Sequence, residues 1–321
     1  MNKLCPFFLL GALLTGCSTP PKASLTLLVP SGAPFLSVAK VKDEVQSEVT
    51  IGPDLLPVAF TKGEKDLIIA PVTLGAKLYN AKKSNYTLDA VLGWGNLHIV
   101  SRSPLSDISD LQDKNILAFA EHSTPGIMLR LATKDLNVSI TYFKSVSDVG
   151  GPFLNGQYDY VLLSEPILSK ILSNIKEETY TYSLQNVTVL PRIAQFGIFS
   201  NADVDHQAKH DFYTKLENNI KYINELPETY AKDVVSLDPQ FSELGVDVIK
   251  KAIPNLNFEY KRAIDVKDDL NVFFNYLINE DINIIGANNV DDNFYGKDEK
   301  QISLSLWKFR VYYHNLSVVT F

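Results

Sequence analysis

The chain has 321 residues, is 45% hydrophobic and 21% charged, and carries a formal net charge of -7. That apolar content suffices for a large core or for two lobes, and the well-mixed charges argue against gross disorder. No cluster of Lys and Arg stands out, which excludes the electrostatic footprint of a nucleic-acid binder.

The first residues are the most informative. Lys3 precedes an apolar run from Leu4 to Leu14, too short to span a bilayer as a stable helix. Leu14-Thr15-Gly16-Cys17 follows and resembles the bacterial lipobox, where a signal peptidase cuts before the Cys and the thiol takes a diacylglyceryl group. Small residues suit a cleavage site, and the thiol is the group that can be alkylated. Residues 1–16 are therefore expected to be a signal peptide and residues 17–24 a small, polar, Pro-bearing tether. Cys5 and Cys17 are the only cysteines, so Cys5 would leave with the signal and Cys17 would carry lipid. The mature chain then has no thiol for a disulfide, a thiolate metal site or cysteine catalysis. Each buried methylene of an acyl chain contributes ~0.8 kcal/mol to anchoring.

Leu25 to Val29 reads as a buried strand ended by Pro30-Ser31-Gly32-Ala33-Pro34, with a helix from Phe35 to Val45. Asp66 to Ala70 is a second buried strand, broken by Pro71. Thr73 is placed to cap a helix from Leu74 to Lys82. Strands at Leu88–Leu92 and Leu97–Ser101 flank Gly93-Trp94-Gly95-Asn96. A helical turn at Asp107–Leu111 and a strand at Ile116–Phe119 follow, then Glu121-His122-Ser123-Thr124-Pro125. Thr124 is read as an N-cap and Pro125 as the first helical position of a helix to Leu136. Next come a strand at Ile140–Phe143 and a helix at Val146–Leu154, weakened by Gly150-Gly151-Pro152. A strand at Asp159–Leu163 precedes Glu165-Pro166, which opens a helix through Leu172. Strands at Val187–Leu190 and Gln195–Phe199 lead into helices at His206–Leu226, Pro227–Leu237, Phe241–Ile253 and Val266–Asn279. Strands alternate with helices over the first two thirds, so an α/β class with mostly parallel sheets is expected.

Catalytic and metal signals are weak. His206 and His210 have i, i+4 spacing, but no HExxH surrounds them, and a solvated helix face is the reading adopted. No GxSxG and no Walker loop occur. Asp291-Asp292 reads as a solvated turn.

The order PSGAP (Pro30–Pro34), DLIIAPVTLGAKLY (Asp66–Tyr79), GWGN (Gly93–Asn96), LAFAEHSTPGIMLR (Leu117–Arg130) and FLNGQYDYVLLSEPILSK (Phe153–Lys170) resembles the solute-binding proteins of ABC importers. Within them it is similar to the NMT1/THI5-like and SsuA/TauA-like group, binders of thiamine-precursor pyrimidines, alkylsulfonates, taurine and nitrate. The resemblance runs from about Leu25 to Tyr295. It implies a two-lobe periplasmic-binding-protein type 2 fold with two crossovers: lobe 1 from residues 25–101 plus 197–295, and lobe 2 from 102–196. Residues 296–321 depart from it and form an atypical carboxyl-terminal tail. It further implies a monomer without cofactor, outside the cytoplasm and anchored by lipid on Cys17. Its partners would be a small-molecule ligand and membrane permease subunits.

Ligand would sit in the cleft between lobes. Candidate contacts are Ser31, Gly32, Ala33 and Pro34, at a strand's carboxyl end where open α/β sheets hold ligands. Pro71, Val72 and Thr73 occupy a matching position. Ser123 and Thr124 offer hydroxyls and helix-start amides, with Pro125 lacking a donor. Trp94 and Asn96 combine an aromatic face with an amide. Glu165 completes the set, although as the head of a helix it also suits the dipole. A pyrimidine-like heterocycle is the favoured solute, because Trp94 offers a planar face and no ligand-reading cation cluster is evident, and a sulfonate or taurine comes next. An orphan binding or signalling lipoprotein and a pyrimidine-synthesis enzyme of the same fold are the alternatives.

Overall fold

The computed structural model describes residues 24–51, 54–187, 190 and 192–296. The expected signal peptide, Cys17 and the tail beyond Gly296 lie outside the described residues. The strands are β1 (Thr26–Pro30), β2 (Gln46–Thr50), β3 (Leu67–Pro71), β4 (Thr87–Trp94), β5 (His98–Ser101), β6 (Asn115–Phe119), β7 (Ser139–Phe143), β8 (Tyr160–Leu163), β9 (Tyr180–Ser183), β10 (Ala194–Ser200) and β11 (Phe258–Arg262). The helices are α1 (Ala33–Val38), α2 (Leu56–Lys62), α3 (Val72–Asn80), α4 (Thr124–Ala132), α5 (Val146–Leu154), α6 (Ile167–Leu172), α7 (His206–Glu225), α8 (Pro227–Val234), α9 (Pro239–Leu256) and α10 (Lys267–Ile278).

Two sheets organise the chain, in the orders β11-β4-β10-β3-β1-β2 and β7-β6-β8-β5-β9. In the first, β1 pairs parallel with β2 and β3, while β10 runs antiparallel between β3 and β4. In the second, β6 pairs parallel with β7 and β8, and β5 runs antiparallel between β8 and β9. The inner parallel-paired strands β1, β3, β6 and β8 are apolar runs seen in the sequence. Leu67, Ile68, Ile69 and Ala70 are all fully buried, as strands covered on both faces require. One face of the first sheet packs on α1, α7, α8 and α9 through residues such as Leu27, Val29, Phe212, Tyr230 and Phe241. The other packs on α2, α3 and α10 through Phe60, Phe199, Phe273 and Phe294, a core continuous with that of the second sheet.

The chain passes between sheets twice, at residues 95–97 and 184–193. At the first passage Gly95 and Asn96 both take positive φ, 64° and 67°, a conformation open to Gly and, among other residues, best tolerated by Asn. The crossovers run side by side: Gly95 N donates to Ile193 O (2.7 Å) and Leu184 N to Leu97 O (2.9 Å). Residues 98–101, expected in the first lobe, pair instead with β8 and β9 of the second sheet. Nothing in HIVS itself decides which sheet receives it; its neighbours do.

Other departures have local reasons. The helix expected to reach Val45 stops at Val38, because the chain must return to place β2 beside β1, with Gln46 N donating to Leu25 O at 2.7 Å. Strand β2, an edge strand with exposed and half-buried residues, carries too little hydrophobic signal to be read. Strands β9 and β11 and helix α2 were likewise not expected. The strand expected at Val187–Leu190 falls partly outside the described residues, and Val187 lies in a turn. The break between α7 and α8 falls at Leu226-Pro227 as expected, since a residue before Pro avoids the helical region and Leu226 sits at φ -133°, ψ 58°. Among the described residues no helix is long and apolar enough to cross a membrane.

Candidate functional site

The carboxyl end of β3 runs directly into the nine-residue α3, that of β6 reaches the nine-residue α4 through a short loop, and the starts of these helices face each other across the two sheets. The hydroxyls of Thr73 and Thr124 lie 3.3 Å apart, with both residues buried. Each was expected as an N-cap. The structure gives that position to Pro71 and Ser123, so Val72 and Thr124 are the first helical residues, and neither helix has a side-chain cap. The threonine hydroxyls turn towards the opposite lobe instead of back onto their own amides. Helix starts carry partial positive charge and free N–H groups, so two converging starts form a donor-rich place. Gly126 is required there: a Cβ would lie 2.5 Å from Glu121 O, in the loop that leads into α4. Farther along α4, Arg130 donates from Nη1 to Glu121 O (2.8 Å) and from Nε to Glu280 Oε1 (3.2 Å), bridging to the other lobe. Ser123 is exposed, Pro71 half-buried and Val72 buried.

At the hinge, Glu165 joins three parts of the chain. Its N–H donates to Asn96 Oδ1 (2.7 Å), and its carbonyl accepts from Asn96 Nδ2 (3.3 Å). Its carboxylate accepts from Asn255 Nδ2 of α9 (2.9 Å) and from Ser169 N and Oγ (2.9 Å each). Burial pushes this carboxyl above the usual range, while the bonds from Asn255 and Ser169 pull it back. Trp94 is 3% exposed. Its Nε1 donates to Glu259 O (3.3 Å), and the Arg192 guanidinium stacks 3.8 Å from the ring centroid while pairing with Glu259 (2.6 Å). The expected open aromatic face is therefore sealed between a crossover and β11.

The loop at Ser31–Pro34 is engaged within its own lobe. Ser31 N donates to Thr50 O (2.8 Å), and Gly32 N to Gln240 Oε1 of α9 (3.0 Å). Ala33 is buried at the head of the six-residue α1, with Ser31, Gly32 and Pro34 half-buried. Thus Thr73 with Thr124, and Asn96 with Glu165, are brought together; Trp94 and the Ser31–Pro34 loop stand apart with partners of their own. Asn255, Ser169, Gln240 and Glu280 were not singled out from sequence. They lie in ordinary helices or their ends, far along the chain, and no motif marks them. His206 and His210 are exposed on α7, and no group of three His, Cys, Asp or Glu among the described residues is arranged to hold a metal.

No family model and no curated protein sequence matches the chain. Solved structures do. An ABC transporter protein from Parabacteroides distasonis aligns with TM-score 0.74 at 21% identity, over 86% of this chain and 100% of that one. The periplasmic aliphatic sulphonate binding protein SsuA from Escherichia coli aligns with TM-score 0.64 at 12% identity, over 86% and 92%. The ligand binding component of an ABC-type import system from Staphylococcus aureus, with zinc bound, gives 0.64 at 12%, over 87% and 97%. The chain therefore has the two-lobe fold of periplasmic binding proteins of ABC importers, the type 2 arrangement with two crossovers expected from its sequence. SsuA sulfonate-binding proteins are among the structures that share it.

Proposed function

We propose that this chain is the extracytoplasmic solute-binding component of an ABC importer. In this reading it is held at the membrane by lipid on Cys17 and captures a small polar solute between its lobes. The observation that carries the reading is the meeting of Thr73 and Thr124, 3.3 Å apart, at two helix starts contributed by different sheets. A solute entering between them would replace that contact with bonds to both hydroxyls and to the first-turn amides, and lobe closure would follow from binding both sides at once. Pro71, Val72, Asn96, Ser123 and Glu165 frame this space, whereas the Ser31–Pro34 loop is tied to α9 and Trp94 holds the crossover.

The favoured solute is a planar uncharged heterocycle of the pyrimidine kind. The residues proposed to frame the space include a buried acid, Glu165, and no Lys or Arg, which disfavours a strong anion. A sulfonate or taurine is the second reading, supported by the two converging helix starts and by the likeness to sulfonate-binding proteins. Delivery would go to a membrane permease; nothing in the proposal requires turnover of the solute.

The test is thermal unfolding of the full lipidated chain in detergent against 4-aminopyrimidine, taurine, methanesulfonate, nitrate and glycine. A binder at a hundred times its dissociation constant adds ~2.7 kcal/mol and raises the midpoint by several degrees. A shift with 4-aminopyrimidine alone supports the first reading, one with the sulfonates the second, and none with any probe sinks both. Labelled palmitate incorporation that persists in Cys17→Ser would remove the anchor from the proposal.

A further inference from the structure

Among the described residues three buried side-chain nitrogens have no hydrogen-bond partner: His98 Nε2, Arg102 Nε and Gln195 Nε2. Arg102 is engaged through its other nitrogens, donating to Phe153 O at 2.9 Å and pairing with Glu177. The other two side chains stand where the crossovers enter the lobes. His98 opens β5, three residues beyond Gly95, and Gln195 is the second residue of β10, two beyond Ile193. Because Gly95 N donates to Ile193 O, both residues depart from one hinge point, one into each lobe.

Both lie at the first residues of interior strands, next to the ends of strands that lead towards the inter-lobe contact. His98 pairs with Leu163, the last residue of β8, two residues before Glu165. Gln195 falls in a register irregularity of β10: Ala194 pairs with Trp94 and Phe196 with Gly93, which leaves Gln195 outside the ladder to β4. On the other side Phe196 pairs with Pro71, the residue from which α3 starts, so Gln195 is one residue from that pairing at the head of α3. An extra residue in a ladder re-aims a side chain and is a recurrent device beside binding sites.

We propose that His98 and Gln195 are solute-reading side chains of the inter-lobe site, completing from the two crossovers the set of donors begun by Thr73 and Thr124. This rests on the solute-binding reading given above and deepens it. A buried donor or acceptor without a partner destabilises the fold, and an apolar side chain of the same shape would avoid that cost. A solute that supplies the partner recovers it. His98 is 8% exposed, and burial pushes its imidazole down to about 4, so at neutral pH it offers one donor and one acceptor without charge. The Gln195 amide offers two donors and an acceptor. Such a pair suits an uncharged ring that alternates donors and acceptors better than a bare oxyanion.

Titration calorimetry of the full lipidated chain in detergent tests this, with 4-aminopyrimidine, taurine, nitrate and glycine as probes. His98→Phe and Gln195→Met keep the shapes and remove the polar atoms. Wild type is expected to bind 4-aminopyrimidine and each variant to bind it about tenfold more weakly or worse. The unfolding midpoint of each solute-free variant should be no lower than that of wild type, because an orphaned group has been removed. Affinity within twofold of wild type in both variants overturns the inference alone. So does a solute-free midpoint that falls by several degrees, which would mark the groups as structural. Wild type that takes none of the probes overturns the solute-binding reading and this inference together.

Discussion

At the hinge, the buried carboxylate of Glu165 accepts three hydrogen bonds, from Asn255 and Ser169, while Asn96 clasps its backbone on both sides. Where the starts of α3 and α4 converge, Thr73 and Thr124 meet through a single 3.3 Å contact between hydroxyls, long for an O–H···O bond. Both regions are buried, polar and built from residues of both lobes. They differ in saturation. A network whose donors and acceptors are all used is committed to holding the fold. A pair joined by one long contact keeps donor and acceptor capacity that a solute can take up. The loop at Ser31–Pro34 belongs with the hinge on this criterion, since Gly32 N is already given to Gln240.

The largest test of that distinction is Glu165→Ala. It strands the donors of Asn255 and Ser169 and should cost about 4 kcal/mol of stability. Chemical denaturation of wild type and variant measures it; a loss below about 1 kcal/mol would mean the hinge network is not committed to the fold.

Next in size is a pH effect at His98. Its imidazole lies at about 4 in the folded chain against an ordinary 6.5, so the folded state resists protonation. The associated stability is complete above pH 6.5 and is lost as pH falls towards 4, by roughly 3 kcal/mol. The stability difference between wild type and His98→Phe should therefore change across that window, and a difference that stays flat would show that the ring titrates normally.

At the threonine contact, Thr73→Val or Thr124→Val should weaken solute binding about tenfold while moving the solute-free midpoint little. If either variant unfolds several degrees earlier and binds normally, the two regions do not differ as described. The smallest effect is expected from Gln240→Ala, which removes the partner of Gly32 N. It should cost about 1 kcal/mol of stability and leave solute affinity unchanged. An affinity loss larger than the stability loss would move the Ser31–Pro34 loop from the class of the hinge to that of the threonine contact.

Much of the architecture was legible in residue patterns. Apolar runs such as LIIA at 67–70 mark strands covered on both faces, and Leu226-Pro227 marks a helix break, because both signals are local steric and hydrophobic facts. Edge strands β2 and β9 were not legible, since their half-exposed residues lack that signal and their pairing partners supply the reason they form. The helix starts at Thr73 and Thr124 were visible from Pro and hydroxyl residues, with the cap placed one or two residues too late in each.

The sequence by itself determined the strand–helix alternation, the approximate positions of the Pro-bearing helix starts and the break between β4 and β5 at Gly93–Asn96, all of which follow from backbone sterics and hydrophobic periodicity within a few residues. Tertiary structure alone decided that His98–Ser101 joins the second sheet, that Trp94 lies under Arg192, that Glu165 finds Asn255 ninety residues away, and that Thr73 meets Thr124. Those outcomes depend on which surfaces the two crossovers bring together. A side chain's freedom to bind is set by what else reaches it, and that is a property of the packed chain rather than of its neighbours in sequence.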